Sequence, residues 1–128
     1  MVDFRLTEEQ MMIREMAREF SEEEILPHAE EWDREGTYPR DAITKAHELG
    51  LLNVTIPEKY GGAGMSTVDE MVICEELSRG DPGFGTASYH TMLASFPILT
   101  GGTEEQKAEY LGRVTEGKLA AYCVTEPD

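Results

Sequence analysis

From Pro82 to Thr103 the chain carries no Asp, Glu, Lys or Arg, although those four residues make up 29% of the sequence. A run this long exposed to water would waste its Phe, Met and Leu side chains, so it belongs in an interior. Its Gly, Thr, Ser, His and Pro content is too polar for a lipid-facing span. The reading left is a helix buried inside protein. Asp81 and Pro82 form the usual N-cap and first-turn pair, and Phe84, Ala87, Met92, Leu93 and Phe96 supply the apolar body, with Pro97 near its end.

Helical signals fill the rest of the chain. Thr7, Glu8, Glu9 and Gln10 have the form of a capping box, and Met12, Ile13, Met16, Ala17 and Phe20 follow at three- and four-residue spacing. Pro27 interrupts this pattern, while Ile25, Leu26, Ala29 and Trp32 keep a helical rhythm across it, so the spacing predicts either a kink or two abutting helices. Pro39 and Asp41 open a shorter helix with Ala42, Ile43, Ala46 and Leu49 on its inner face and Gly50 at its end. Leu51 to Ile56 read as an extended piece halted by Pro57 and a glycine loop. Ser66 then caps a helix carrying Val68, Met71, Val72 and Leu77 and ending at Gly80. A second capping box, Thr103 to Gln106, starts a last helix with Ala108, Tyr110, Leu111 and Val114, before Gly112 and Gly117 loosen the chain. Leu119 to Thr125 is too short for another helix and rich enough in Tyr, Val and Cys to be a strand. The expected fold is all-α, five or six helices ending in one orphan β-strand, whose unpaired backbone asks for a sheet supplied by more chain or by another molecule.

At 128 residues the prior is one domain with its own core. A net charge of −15 argues against nucleic acid or an anionic membrane surface as partner. The N-terminus "MVDFRLTEEQ" has no uninterrupted apolar segment of the secretory kind, and a cytoplasmic location is the expectation. Cys74 and Cys123 lack zinc or disulfide-framework spacing and read as small buried hydrophobes. His28, His47 and His90 fall on different elements with no paired spacing, so no metal site is expected. The glycines of "YGGAGMS" could bind an anion at a helix N-terminus, but with no P-loop lysine and no third glycine in place a plain turn is the better reading. Adjacent carboxylates such as Glu75 and Glu76 point about 100° apart on a helix and cannot converge on one substrate atom. The one chemical hint is the uncharged helix with Tyr89 and His90 embedded in it, which can line a cavity or simply pack as core.

Taken in order, "LTEEQ", "ELGLLNVTIPEKYGGAGMS", "EELSRGDPG" and "EEQKAEYLGRVTEGKLAAYCVTEP" resemble the N-terminal helical domain of the acyl-CoA dehydrogenase flavoenzymes, across nearly the whole chain. The resemblance implies residues 1–117 as that helical domain and 118–128 as the start of the middle β-domain, the rest being absent. It implies FAD as cofactor, an acyl-CoA thioester as substrate, a role in fatty acid metabolism and a homo-oligomeric full-length enzyme. The reaction would be α,β-dehydrogenation to the trans-2-enoyl-CoA, with a carboxylate base from the C-terminal domain and hydride passing to the flavin. No residue here is expected to be catalytic, and this stretch alone should be inactive. Tyr122, Val124 and Thr125 match positions that lie along the flavin. Gly85, Tyr89, His90 and Leu93 match the helix lining the acyl pocket, where a bulky Tyr89 implies short or branched chains. The alternative is a helical interaction module or subunit that completes a partner's sheet.

Overall fold

The computed structural model describes residues 4–125. Six α-helices account for most of them: α1 (Glu8–Phe20), α2 (Ala29–Glu35), α3 (Arg40–Glu48), α4 (Thr67–Gly80), α5 (Pro82–Gly101) and α6 (Glu104–Thr115). The capping boxes expected at Thr7 and Thr103 are formed, each threonine accepting from the backbone of a glutamine whose side chain reaches back to the cap. Ser66 and Asp69 form a third at α4.

Pro27 produces neither a simple kink nor a clean break. The last turn before it widens into a π-helix, Ser21–Ile25, in which the Leu26 N–H donates to Ser21 O at 2.9 Å, and α2 begins after a short turn. The widened turn points Ser21 and Ile25 inward, and both are buried. The end of α4 packs onto it so closely that a Cβ on Gly80 would overlap Ser21 Oγ and stand 3.0 Å from Ile25 Cγ2.

α4 is the axis of the fold. On one side it runs alongside α1, fastened where the Gln10 amide donates to Asp69 at 2.8 Å and where Arg18 grips Glu76 with two bonds, 3.0 and 2.6 Å long. On the other side it meets α5, where Gly85 replaces what would be a collision: a Cβ there would overlap Ser78 Oγ and lie 2.9 Å from Ser78 Cβ. The core around this axis gathers Ala17, Phe20, Ile25, Ile43, Leu77 and Phe84. Phe84 is fully buried, with its ring 6.3 Å from that of Phe20 and stacked 6.1 Å from Trp32. A second cluster of Ile56, Tyr60, Met92, Leu111 and Val114 joins the loop after α3 to α5 and α6.

Several expectations are corrected. Leu51 to Ile56 is not extended but a run of bends, with Asn53 at φ 57° and the Ile56 N–H donating back to Asn53 O at 3.2 Å. Its backbone instead meets the glycine loop, through Met65 N–H to Val54 O and Gly64 N–H to Ile56 O, both 2.9 Å. Leu49 is half exposed because α3 ends before it turns inward, and Val68 and Met71 also face outward, as do Met12 and Phe96. Gly112 does not loosen α6, which continues through it to Thr115. Leu119 to Thr125 forms no strand, since no other segment among the described residues offers it a ladder. Residues 126–128, the end of the stretch expected to begin a β-domain, lie outside the described residues.

Glu76 is the buried member of its ion pair, 5% exposed at the side chain against 39% for Arg18, and hydrogen bonding to Arg18 holds its carboxyl below the usual glutamate range. Such a depressed pKa adds stability that is present above the ordinary carboxylate range and lost as pH falls through the depressed value. Arg18→Met should therefore lower Tm at pH 7 more than Arg79→Met, which breaks only the exposed pair to Glu22, and acidification should close the gap; thermal melts at pH 7 and pH 3 check this. Removing the Phe84 ring is a different test, of packing, and Phe84→Ala should cost about 3–5 kcal/mol in denaturant unfolding.

Candidate functional site

The uncharged helix is buried along one side only: Phe84, Ser88, Met92 and Ser95 are in the core, while Thr86, His90, Phe96 and Pro97 face outward, so its lack of charge does not mean burial all round. Its first turn is closed by Asp81, whose carboxylate accepts from Gly83 N–H at 3.1 Å and Phe84 N–H at 2.8 Å. Inside it two of the buried hydroxyl groups spend their protons on the helix itself. Ser88 donates to Gly85 O and Ser95 to Thr91 O, both at 2.9 Å, so burying them leaves no unpaired donor. α5 also passes through Pro97, which the sequence placed near its end, and continues to Gly101.

Gly85, Tyr89 and Leu93 repeat every four residues and share one side of α5. Gly85 is buried at the α4 crossing, and Tyr89 and Leu93 are half-buried. His90, one residue round from Tyr89, is exposed and stands apart from that row. Tyr89 lines a small pocket with Leu51, Asn53, Glu70, Cys74 and Met92. Burial pushes its phenol above the ordinary tyrosine range, and the nearby Glu70 carboxylate adds to the rise.

Glu70 was missed from the sequence. It sits on α4 in register with Ile73 and Leu77, at i, i+3 and i+7, so a carboxylate interrupts the helix's apolar stripe. That interruption was the available signal. Glu70 is 6% exposed, burial raises its pKa, and the Thr55 hydroxyl, 3.4 Å away, offsets this in part.

Beyond α6 the chain returns to α5. Thr91 is buried and its hydroxyl holds Ala120 from both sides, donating to Ala120 O at 3.4 Å and accepting from Ala120 N–H at 3.2 Å. Thr91 was not foreseen either, because its partner lies 29 residues away. From Ala121 to Thr125 every residue is exposed, and no backbone group of this stretch is hydrogen-bonded among the described residues. Tyr122, Val124 and Thr125 are thus together in one segment, tethered at Ala120 and presenting amides without a partner among the described residues and two hydroxyls, those of Tyr122 and Thr125. A donor set of that kind suits the polar edge of a planar heterocycle such as a flavin, though it forms only one side of a site. Cys74 and Cys123 are free thiols, the first half-buried and the second exposed, where both were expected to be buried. No group of three or more metal-ligating side chains occurs among the described residues, and no helix there is long and apolar enough to cross a membrane.

Residues 7–118 match the family described as "Acyl-CoA dehydrogenase, N-terminal domain". The chain belongs to the acyl-CoA dehydrogenase family. A probable medium-chain specific acyl-CoA dehydrogenase of Caenorhabditis briggsae, described as mitochondrial, is 44% identical over 127 residues, which is 98% of this chain and 31% of that protein. Butyryl-CoA dehydrogenase from Megasphaera elsdenii superposes with a TM-score of 0.88 at 34% identity, over 98% of this chain and 34% of its own. An acyl-CoA dehydrogenase complexed with FAD from Bacillus anthracis gives 0.88 at 35% identity, over 99% of this chain and 22% of its own. The chain therefore spans about a third of the length of the curated relatives it matches.

The raised pKa of Glu70 carries a pH signature of the opposite sign to that of Glu76. Stability falls as pH rises from the ordinary glutamate value through the raised one, because the folded state must then bury a charge. Glu70→Gln should raise Tm at neutral pH and leave it unchanged at pH 3, where both side chains are neutral; paired melts of the two proteins measure this.

Proposed function

We propose that this chain is the N-terminal helical domain of an FAD-dependent enzyme that dehydrogenates acyl-CoA thioesters to trans-2-enoyl-CoA, within fatty acid metabolism. The observation that carries the reading is the family match over residues 7–118, in a chain about a third as long as its relatives. The division of labour follows from it. Residues 1–117 form the helical wall, and residues 118–128 begin the flavin-binding β-domain, whose other strands come from further chain or from a partner. The assembled enzyme would be a homo-oligomer working in the cytoplasm.

When bound, FAD would supply the hydride acceptor. Toward it this chain offers Tyr122 and Val124 as a flanking surface, with Thr125 donating through its hydroxyl and nearby amides to the heterocycle's polar edge. Donors there favour the charge that accumulates on reduction. Toward the substrate, α5 walls the acyl chain. Gly85 keeps α5 tight against α4, Tyr89 fills the deep end, Leu93 adds apolar surface further along and His90 stands at the outer margin. A half-buried phenol at the deep end shortens the pocket, which selects short or branched chains. No carboxylate of this chain is assigned the base, because the resemblance puts that base in the C-terminal domain; among the described acids Glu70 is buried on α4, and the others cap helices, pair with cations or face solvent.

Two measurements test this. The 128-residue chain mixed with FAD, butyryl-CoA and an artificial electron acceptor should show no turnover, and turnover would overturn the view that the remaining parts are required. Expressed in its whole reading frame, the enzyme should be yellow and should oxidise butyryl-CoA; a colourless product inert toward every acyl-CoA tried would sink the assignment. In that enzyme Tyr89→Ala should shift kcat/KM toward longer chains, by roughly tenfold in the octanoyl-to-butyryl ratio.

A further inference from the structure

The pocket between α4, α5 and the 51–56 loop is bordered by a buried glutamate and by an asparagine whose amide oxygen lacks a partner. It has space of about 20 Å³, room for a single oxygen atom and its hydrogens. Asn53 lines it, and Asn53 Oδ1 is buried with no hydrogen-bond partner. Glu70 also lines it, and its one protein donor is the Thr55 hydroxyl at 3.4 Å. That hydroxyl has a single proton and stands 3.2 Å from Met92 Sδ as well, so it serves one of the two at a time. Ser88 is committed to Gly85 O, and the Tyr89 phenol, which also lines the pocket, makes no hydrogen bond to Asn53 or Glu70 among the described residues. No Lys, Arg or His pairs with Glu70 among the described residues. Glu70 and Asn53 therefore border one small space in which the carboxyl shares its only protein donor with Met92 and the amide oxygen has none, and leaving either unsatisfied costs more than binding a partner would.

We propose that this pocket is a binding site for one hydroxyl group, that of a water or of a small alcohol, which donates to Asn53 Oδ1 and bonds a carboxyl oxygen of Glu70. The hydroxyl is the species that fits because it both donates and accepts. It supplies the proton Asn53 lacks, and its oxygen takes the proton of Glu70 when that group is neutral. With an ionised Glu70, the second hydrogen of water serves the carboxylate. An anion would set further acceptors against Asn53 Oδ1 and the Glu70 carboxyl, and the space is too small for an ammonium group with its substituents. The site needs nothing from the acyl-CoA reading, since it lies within this chain.

Crystals of the 128-residue protein, untreated and soaked in methanol, test the proposal together with Glu70→Leu and Asn53→Gly. Glycine adopts the φ of 57° at position 53 without strain, so the second variant removes the amide and leaves the backbone free to keep its course. The expected result is an ordered oxygen within hydrogen-bond distance of Asn53 Oδ1 and Glu70 in the wild type, lost in Glu70→Leu and lost or displaced in Asn53→Gly. Methanol in the same place identifies an alcohol site, and water retained against methanol identifies a water site. The proposal is overturned if no oxygen occupies the pocket, if Asn53 Oδ1 pairs with a protein donor instead, or if the oxygen stays unmoved in both variants. Should the variants not crystallise, water-to-amide Overhauser transfer at residues 53 and 89 reads the same outcomes in solution: a long-lived water signal in the wild type that the variants lose, or none.

Discussion

The fold depends on how closely other elements approach α4. Two glycines make this possible: Gly80 lets the last turn of α4 touch the π-turn at Ser21 and Ile25, and Gly85 lets α5 cross over Ser78. At such distances even a methyl group would force backbones apart, and interiors packed at crystal density do not absorb that shift. The consequences propagate outward. With α5 seated against α4, Phe84 reaches the ring stack with Phe20 and Trp32, and Tyr89 comes to face Glu70. The π-turn, itself a response to the proline two residues beyond it, is what presents Ser21 and Ile25 at the height where Gly80 arrives.

Electrostatics reinforce the same contacts with few means. Against 26 acidic residues the chain has only 11 Lys and Arg, and several of those cations bridge separate elements rather than neighbouring turns. Arg18 ties α1 to α4, Arg79 ties α4 to the π-turn, Lys45 ties α3 to the π-turn and Lys59 ties the 3₁₀ turn at Glu58–Tyr60 to Glu104 of α6. Glu104 shows the density of one such node. Lys59, Tyr60 and Lys107 all donate to it, and its pKa is pulled down to about 2. Being exposed, it is screened by salt, and its value lies in fixing the loop rather than in net energy. Glu70 stands outside this economy of cations as the acid that is buried without one.

Local signals were legible and long-range ones were not. The capping boxes at Thr7 and Thr103 and the Asp81–Pro82 start of α5 rest on residues within one turn of each other, and each formed as the spacing predicted. The family resemblance likewise came from ordered local motifs. The π-turn was legible only as an interruption at Pro27, because whether a helix kinks, breaks or widens depends on what packs against it, here Gly80. Leu51 to Ile56 misled for a similar reason: its β-prone residues read as extended, yet its backbone is satisfied by the glycine loop at Gly64 and Met65 and bends to reach it. Of the expected acyl-pocket residues, Gly85, Tyr89 and Leu93 fall in one row and His90 does not, a distinction that helical periodicity alone contains. Thr91 needed the tertiary structure, since its partner lies 29 residues away, and so did the burial of Asn53 Oδ1, whereas Glu70 left a local trace as a break in the apolar stripe of α4.

The segment after α6 shows how one buried hydroxyl can define a junction. A chain leaving a helical domain with free amides and apolar side chains would ordinarily drift or pair with whatever edge it met. Here Thr91, buried in α5, clasps the backbone of Ala120 by both its donor and its acceptor, so the direction of departure is set by the same helix that carries Gly85, Tyr89 and Leu93. The wall proposed for the acyl chain and the segment proposed for the flavin are thereby held in one frame. In a reaction that moves a hydride from one to the other, a displacement of 1 Å between them would cost heavily in rate. That gives a physical reason for anchoring the segment to α5 rather than to α6, from which it emerges.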